Sequence, residues 1–313
     1  MAFSTDIRSN DTVVLHNSST GCTAEIYLFG ALLNSFSIPV HGQQVNVVDG
    51  FTSPEDAAAD ITNGFKSAKL NPFVCRLEKG KYSFEGNDYK IDKFYLGDEA
   101  IHGLIYNAPY SIKTYGADDE KAFVTLQCNY NSKTEGFPFA YSVDVTYTLK
   151  TGDSLTLFTA VTNTGTTDMP LSDGWHPYFK LGDTVNDLTV QFNTDTMMEF
   201  DERLLPSGKT IADNRFEQPI TFNDTFLDNC FLLKDHMHPS CVLTDTQKGL
   251  RFSITADKSY PYLQVYTPPH RKSIAIENLS SVPDAFNNGI GLIKAAPDTT
   301  HAFKTTFKLE VLS

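Results

Sequence analysis

Residues 173–179 combine aromatic side chains with a group that can transfer protons. The run reads Asp-Gly-Trp-His-Pro-Tyr-Phe and places Trp175, the only tryptophan of the 313-residue chain, directly before His176. Aromatic rings stack on the apolar C–H faces of sugars, and histidine is the side chain best suited to exchange a proton near neutral pH. We therefore predict a sugar-binding site that contains Trp175 and in which His176 does acid-base chemistry.

Glu277 is a candidate base on a predicted strand. In the run Ser-Ile-Ala-Ile-Glu-Asn, Ile274 and Ile276 would face the core, while Glu277 shares the other face with Ser273 and Ala275. Small neighbours leave room for a ligand, and burial there would raise the pKa of the carboxyl toward that of a useful base. A solvated strand face is an equally good interpretation of this strand alone.

Two further segments each contain one ionisable residue near a glycine. Arg76 lies on an apolar stretch before a glycine turn, and a surface arginine paired with Glu78 is the more common interpretation of such a segment. His102 precedes Gly103, which would allow close approach of another backbone or a ligand, although a single histidine is more often structural. We keep Arg76 and His102 as candidate site residues.

The elements that must position these side chains are predominantly strands. Residues 141–149 alternate between large apolar and polar side chains, and the Thr-Gly-Asp run at 151–153 is typical of a tight hairpin turn. The C-terminal residues 303–311 alternate in the same way. Such a period of two predicts strands with one buried and one solvated face.

Helix is scarce in this sequence. The best helical candidate covers residues 54–62, with Ser53 as the N-cap and a proline in the first turn. Many strands, frequent glycine turns and little helix favour an all-β fold with two large antiparallel sheets packed face to face. We predict a single domain over residues 1–313.

Composition and charge exclude several classes of partner. The net charge is −13, from 38 acidic and 25 basic residues, and no basic run occurs, so that binding to nucleic acid or to an anionic membrane is not expected. The N-terminus lacks the features of a signal peptide and no apolar segment is long enough to span a membrane, which predicts a cytoplasmic protein. The five cysteines are scattered and odd in number, so neither a disulfide framework nor a zinc cluster is indicated.

Cofactor motifs are also missing from the sequence. His236 and His238 have no evident third metal ligand, and Gly289-Ile290-Gly291 lacks the third glycine of a dinucleotide fingerprint. Neither a phosphate-binding P-loop nor a G-x-S-x-G nucleophile motif is present. We expect acid-base chemistry without a metal or nucleotide cofactor.

Taken in order, the four segments resemble the aldose 1-epimerase (galactose mutarotase) family. The likeness begins with the Phe-Gly-Ala-Leu-Leu run at 29–33, continues through Arg76 and the run at 82–89, and extends to Glu277 and the Pro-Asp-Ala-Phe-Asn run at 283–287. The resemblance implies a large antiparallel β-sandwich of the supersandwich type. The order and spacing of several weak motifs are more specific than any one motif.

The resemblance also implies roles for individual residues. Glu277 matches the family's general base and His176 its general acid, while His102 and Arg76 match the groups that hold and polarise the anomeric end of the sugar. Asp228, in the run Phe-Leu-Asp-Asn-Cys-Phe, matches a carboxylate that accepts hydrogen bonds from ring hydroxyls. The implied activity is interconversion of the α and β anomers of a hexose.

The sequence departs from the best-known members at two points. Leu104 replaces a second glycine after the first histidine, and Pro177-Tyr178-Phe179-Lys180-Leu181 replaces a Ser-Tyr-Phe-Asn-Leu run after the second. These changes leave the proton-transfer residues in place but alter their surroundings. We expect a divergent branch of the family, without a transferable sugar preference.

Other functions remain open at this stage. A hexose-6-phosphate epimerase would need cations in the pocket, for which Arg251, Arg271 and Lys272 are candidates. A noncatalytic carbohydrate-binding sandwich would need only aromatic and polar contacts, and a glycoside hydrolase would need two carboxylates, for which Asp228 and Glu277 are the only pair we identify. The expected partner is a small sugar, bound by a monomer or a homodimer.

Overall fold

A computed structural model describes residues 1–8, 11–132 and 134–312 of the protein, and strands dominate it. In chain order the strands are β1 (Phe3–Arg8), β2 (Thr12–Asn17), β3 (Cys22–Tyr27), β4 (Leu33–Val40), β5 (Gln43–Asn46), β6 (Ala68–Leu70), β7 (Arg76–Leu77), β8 (Lys81–Phe84), β9 (Asn87–Lys90), β10 (Tyr95–Leu96), β11 (Glu99–Ile101), β12 (Ser111–Ala117), β13 (Lys121–Asn131), β14 (Ala140–Lys150), β15 (Ser154–Asn163), β16 (Met169–Leu171), β17 (Gly174–His176), β18 (Tyr178–Phe179), β19 (Thr189–Phe192), β20 (Thr196–Phe200), β21 (Pro206–Ala212), β22 (Ile220–Thr221), β23 (Asp228–Leu232), β24 (Cys241–Asp245), β25 (Leu250–Ala256), β26 (Tyr262–Tyr266), β27 (Ile274–Leu279), β28 (Ile293–Ala295) and β29 (Thr300–Val311).

The helical residues are few, as predicted. Helix α1 covers Pro54–Asp60 and helix α2 covers Ala285–Asn288, and 3-10 turns occupy Glu78–Gly80 and Val185–Asp187. At the start of α1 the Ser53 hydroxyl accepts a hydrogen bond from the backbone N–H of Asp56 at 3.2 Å, which satisfies one of the free donors of the first turn. The predicted cap is confirmed, and the predicted helix is present but ends at Asp60 and not at residue 62.

The largest sheet has nine strands in the order β12-β13-β14-β15-β29-β25-β24-β19-β22. Its strand β14 buries Tyr141 and every second residue to Leu149, and a turn with positive φ at Gly152 and Asp153 joins it to β15. In β29 the alternate side chains from Phe303 to Leu309 are buried, while Val311 is exposed at the strand end. The predicted alternation therefore holds except at that last residue.

The second large sheet carries the candidate site residues. Its strands follow the order β21-β20-β23-β26-β27-β17-β6, and β18 also pairs with β27. Every residue of β27 is buried, so a solvated face for Glu277 is ruled out. Phe179 of β18 packs its ring against Phe252 and Phe307 of the nine-stranded sheet, with centroids 4.4 and 5.4 Å apart.

These contacts join the two large sheets face to face, as expected for a β-sandwich. Their shared hydrophobic cluster takes side chains from Phe3 to Leu309. Burying each large apolar side chain stabilises the fold by roughly 1.5–3 kcal/mol, before the entropy of ordering is subtracted. The all-β sandwich class is confirmed, and a single domain remains our prediction.

In the part of the chain that the structure describes, every helix is too short or too polar to cross a membrane.

Candidate active site

A cavity of about 370 Å³ opens on one face of the second sheet. Five of the six side chains predicted from the sequence line it, namely Arg76, His102, His176, Asp228 and Glu277. They come from five separate strands or strand ends, which are spread over two hundred residues of sequence. The fold thus brings together polar groups that are distant in the chain.

The strand register explains why His176 and Glu277 meet. Strand β27 pairs with the chain of β17 and β18 at Gly174↔Leu279 and at Tyr178↔Ala275, so that His176 lies opposite Glu277 between these two pairs. Opposed side chains of antiparallel strands share a face, with Cβ atoms about 4.5–5.5 Å apart. Here the His176 Nε2 and Glu277 Oε1 atoms are 3.3 Å apart.

Glycine at position 174 permits this close pairing. A Cβ atom there would lie 2.6 Å from the Leu279 side chain and 3.1 Å from the Asn278 carbonyl oxygen. Any larger residue would therefore push β17 away from β27 and separate His176 from Glu277.

Burial governs the charge of the pair. Glu277 is 2% exposed and His176 is 5% exposed. Desolvation, helped by the charge of Asp228, raises the pKa of Glu277 well above its usual range, and desolvation lowers the pKa of His176 to about 4. Burial thus disfavours the charged form of each group, and a single proton shared by the pair is held by the carboxyl.

Arg76 and His102 are placed by a small separate sheet. Strand β11 pairs with β7 at Ile101↔Arg76, and His102 follows with its backbone at φ 63°. Gly103 then passes so close to Asn71 that a Cβ atom would lie 2.3 Å from the Asn71 carbonyl oxygen. The predicted close backbone approach at Gly103 is confirmed.

The two histidines contact each other in the cavity. The rings of His102 and His176 meet edge to face with centroids 4.7 Å apart, and Phe65 lies 4.6 Å from His102 on another side. Burial first, and then the charges of His176 and Arg76, lower the pKa of His102 well below its usual value. His102 is therefore a neutral hydrogen-bonding group at pH 7.

Arg76 points its charge at the cavity instead of pairing on the surface. Glu78, its expected surface partner, binds Arg203 with an N–O distance of 2.7 Å. Among the described residues, no carboxylate lies within 4 Å of the Arg76 guanidinium. The interpretation of Arg76 as half of a surface ion pair with Glu78 is therefore wrong, and its donors are available to a ligand.

Gln264 is a site residue that the sequence reasoning missed. It lies on β26 directly opposite Glu277, and its Nε2 donates a hydrogen bond of 2.8 Å to Asp228. Its Oε1 is buried and finds no partner within the described residues, so it is an acceptor for a ligand hydroxyl. The alternation of the Tyr-Leu-Gln-Val-Tyr strand would have indicated it, once β26 was known to neighbour β27.

Asp228 completes this part of the cavity floor. Burial raises its pKa, while the positive charge of Arg76 and the hydrogen bond from Gln264 oppose that shift. Gln264 lies on β26, the strand next to Glu277, and Asp228 lies on β23, the strand beyond it. Together they present carboxylate and amide oxygens near Glu277. Such acceptors suit the hydroxyl groups of a sugar ring.

The sequence pattern of a known family covers most of the chain. The pattern of the family described as aldose 1-epimerase matches residues 11–308. The chain belongs to the aldose 1-epimerase family.

Individual relatives are distant. An aldose 1-epimerase of Streptococcus thermophilus is 25% identical over 280 residues, which cover 81% of this chain and 74% of that protein. The uncharacterised protein YihR of Escherichia coli K12 is 27% identical over 231 residues, or 72% of each chain. These identities agree with a divergent branch of the family.

Solved structures share the fold over nearly the whole chain. A galactose mutarotase-like protein of Clostridium acetobutylicum superposes with a TM-score of 0.85 at 20% identity, covering 99% of this chain and 98% of that one. A galactose 1-epimerase of Lactobacillus acidophilus gives 0.82 at 18% identity, with the same coverage. The predicted galactose mutarotase-like supersandwich is confirmed.

Trp175 does not reach the cavity of this aldose 1-epimerase family member. Successive side chains of a strand point to opposite faces, so Trp175 points away from the face that carries His176. It is 3% exposed, its ring lies 6.2 Å from that of Tyr147, and the Lys69 ammonium lies 4.4 Å from its centroid. The prediction that Trp175 stacks on a sugar is corrected, and its place is in the core.

Other aromatic rings lie in the cavity lining. Tyr178 and Tyr266 line the cavity near the floor, and apolar side chains surround its mouth. The cavity-lining residues from the mouth are Phe94, Leu96, Phe200 and Leu204.

The candidate phosphate-binding cations lie elsewhere. Arg271 donates to the carbonyl oxygens of Thr225 and Asn223, and Arg251 lines a separate surface groove. Neither they nor Lys272 belong to the cavity lining. The suggestion that these three residues form an anion site in the pocket is therefore wrong.

A buried ion pair lies behind the sheet face that carries His176 and Glu277. Asp173 is fully buried and accepts hydrogen bonds from the Lys69 ammonium, from Tyr260 at 2.6 Å and from Asn71 at 2.9 Å. Its backbone N–H donates to the Ser280 hydroxyl at 2.8 Å. This Asp173 network ties β6, β17 and the end of β27 together, and these are the strands next to the cavity floor.

We expect Asp173→Asn to destabilise the protein by roughly 3–5 kcal/mol, because it leaves the buried Lys69 charge without its counter-ion. The matched control is Asp183→Asn, since Asp183 is 97% exposed and pairs with Lys248 at 3.1 Å. That exposed pair should contribute less than about 1 kcal/mol to the free energy of unfolding. Urea unfolding monitored by Trp175 fluorescence measures both, and equal losses would contradict the role of the network.

Proposed function

We propose that the protein is an aldose 1-epimerase that interconverts the α and β anomers of an uncharged hexose. The observation that carries this proposal is the 3.3 Å approach of His176 Nε2 to Glu277 Oε1 on a buried cavity floor. Mutarotation needs one group to take a proton and another to give one, at two oxygens bonded to the same carbon. A carboxyl and an imidazole this close together can serve both oxygens.

Ring opening would proceed by a concerted transfer of two protons. Glu277, as carboxylate, takes the proton of the C1 hydroxyl, the C1–O1 bond becomes a carbonyl, and the bond from C1 to the ring oxygen breaks. His176, as imidazolium, gives its proton to the departing ring oxygen. After rotation about the C1–C2 bond, the same steps in reverse close the ring on the other face of the carbonyl.

The protonation of Glu277 and His176 in the empty site is compatible with this cycle. In the empty site the proton of the pair lies on Glu277, and its transfer to His176 across the 3.3 Å contact when the sugar binds would give the carboxylate and imidazolium that ring opening uses. Ring opening then restores the carboxyl and the neutral imidazole. The pair holds one proton at every stage, so no exchange with water is needed. Developing charge near the sugar would be stabilised by Arg76, and His102 would orient the ring end by a hydrogen bond.

Two competing functions are less well supported. A noncatalytic sugar-binding protein would gain nothing from two opposed ionisable groups in a desolvated floor, where each costs stability. A glycoside hydrolase would use Asp228 and Glu277 as its carboxylate pair, but Asp228 is engaged with Gln264 while the imidazole faces Glu277. A cytoplasmic location is part of our proposal and fits five cysteines that are all free and buried.

Replacing Glu277 by Gln should lower the rate of mutarotation by roughly 10²- to 10⁴-fold, because the amide cannot take the C1 hydroxyl proton. The change is nearly isosteric, so the melting temperature should stay close to that of the wild type. Polarimetry of freshly dissolved α-glucose and α-galactose measures the rate above the spontaneous reaction. Glu217→Gln is the matched control, since Glu217 lies on the surface and binds Lys234; wild-type acceleration by Glu277→Gln would refute the assignment.

The pH dependence should reveal the shared proton. On the acid side, protonation of His176 abolishes the active pair only near the lowered pKa of this group, about 4. On the alkaline side, loss of the single proton abolishes the pair only above the raised pKa of Glu277. We therefore expect kcat/KM to stay level on the acid side down to about pH 5. An acid limb centred near pH 6.5, the value of an ordinary histidine, would contradict the neutral pair.

Sugar phosphates should be poor substrates. Among the described cavity-lining residues Arg76 is the only cation, and the carboxyl groups of Asp228 and Glu277 share the floor with it. We expect kcat/KM for glucose to exceed that for glucose 6-phosphate at least about tenfold, a difference of about 1.4 kcal/mol. Leu96→Arg, at a half-exposed position of the mouth, should narrow the gap; a wild-type preference for the phosphate would overturn the assignment to uncharged sugars.

A further inference from the structure

A turn at the edge of the second sheet contributes to the lining of the cavity. Residues 201–205, which we call the mouth turn, connect β20 to β21 at the edge of the second sheet. Leu204 of this turn and Phe200 at the end of β20 line the cavity together with Phe94 and Leu96. The position of the mouth turn therefore affects the shape of the cavity.

The mouth turn is organised internally by Asp201. Its Oδ1 accepts the backbone N–H groups of Arg203 at 2.8 Å and Leu205 at 3.1 Å. Its Oδ2 accepts from the Arg203 side chain, at 3.2 Å from Nε and 3.1 Å from Nη2. Asp201 and Arg203 thus move as one unit.

Arg203 joins this unit to the opposite side of the site. Its Nη1 atom lies 2.7 Å from Glu78 Oε1 and 3.8 Å from Glu99 Oε1. Glu78 follows Arg76 by two residues, and Glu99 precedes His102 by three. The single guanidinium therefore connects the mouth turn to both segments that present the sugar-binding Arg76 and His102.

The two carboxylates on that side are themselves fixed. Glu99 is 5% exposed and accepts the backbone N–H of Lys79, while the backbone N–H of Glu78 donates to Asp284 at 2.9 Å. Burial, together with the charges of Glu78 and Glu99, raises the pKa of Asp284, as expected for a concentration of negative charge. Arg203 supplies the cation that this cluster needs.

The backbone of the mouth turn contains one unfavourable conformation. Leu204 has φ 62°, in the left-handed region that a leucine adopts only when its surroundings impose it. Backbone hydrogen bonds from Asp201 to Leu205 at 2.9 Å and from Leu204 to Asp201 at 3.0 Å close the turn, and the Arg203 contacts place the closed turn relative to Glu78.

We propose that Arg203 is a positioning residue that fixes the mouth turn against the substrate and so sets sugar affinity. The inference rests on the proposed function only in naming the substrate as an aldose. A planar guanidinium can bind Asp201 and Glu78 along different edges at once, which the point charge of a lysine cannot do.

Steady-state kinetics of Arg203→Met test the affinity part. We expect KM for the aldose to rise roughly three- to tenfold with the effect on KM exceeding that on kcat, because the Glu277 and His176 pair is untouched. Arg203→Lys should recover part of the loss. Arg215→Met is the matched control, since Arg215 also binds a nearby carboxylate, Asp213, but lies beyond the far end of β21 and outside the cavity.

Salt gives a readout that a merely structural residue would not affect. Arg203 is about half exposed, so its ion pairs are screened as the Debye length falls from about 30 Å at 0.01 M to about 3 Å at 1 M salt. The wild-type KM should rise over this range, while the KM of Arg203→Met should not. An unchanged KM in Arg203→Met, or an equal salt response in both proteins, would overturn the proposal.

Amide hydrogen exchange tests the hold on the turn without using catalysis. Arg203→Met should speed exchange at the amides of Arg203 and Leu205, whose acceptor is Asp201, whereas Arg215→Met should not. Unchanged exchange would refute the hold on the mouth turn. Faster exchange in a protein that accelerates the mutarotation of no aldose would refute the proposed function and leave the structural role of Arg203 established.

Discussion

The site depends on one buried carboxylate that must be neutralised from several directions. Asp173 carries a charge where no water reaches, and such a charge is tolerated only with a close counter-ion and hydrogen-bond donors. Lys69 from β6 supplies the charge and Tyr260 a further donor, while the Asp173 backbone binds Ser280 after β27. These contacts of Asp173 hold β17 between β6 and β27, and in the resulting register His176 lies opposite Glu277.

The same desolvation gives the cavity floor its chemistry. On an open surface, a histidine and a glutamate 3.3 Å apart would form an ion pair at neutral pH. On the buried floor, the free energy of charging both groups exceeds their attraction. The proton of the pair therefore stays on the carboxyl, and both groups are uncharged. The proposed acid and base therefore depend on the burial of β27 in the sandwich as well as on the two residue types.

Local patterns of the sequence predicted much of the fold but less of the site. The alternation of β14, the hairpin at Gly152 and the Ser53 cap depend on neighbouring residues, and all three are confirmed. Gln264 was not predicted as a site residue because its position opposite Glu277 depends on the pairing of β26 with β27. Trp175 was misplaced because residue type was weighed above strand alternation, which already put it on the face opposite His176.

The two arginines show why charge partners were the hardest feature to predict. Glu78 lies two residues from Arg76 and is its obvious partner in sequence, yet it binds Arg203, which is 125 residues away. Because Arg203 satisfies the carboxylates around the mouth, Arg76 keeps its guanidinium free to face the cavity. The charge of Arg76 lowers the cost of a negative charge on Asp228. The pairing of Glu78 with Arg203 therefore leaves the Arg76 guanidinium available as a cation of the cavity lining.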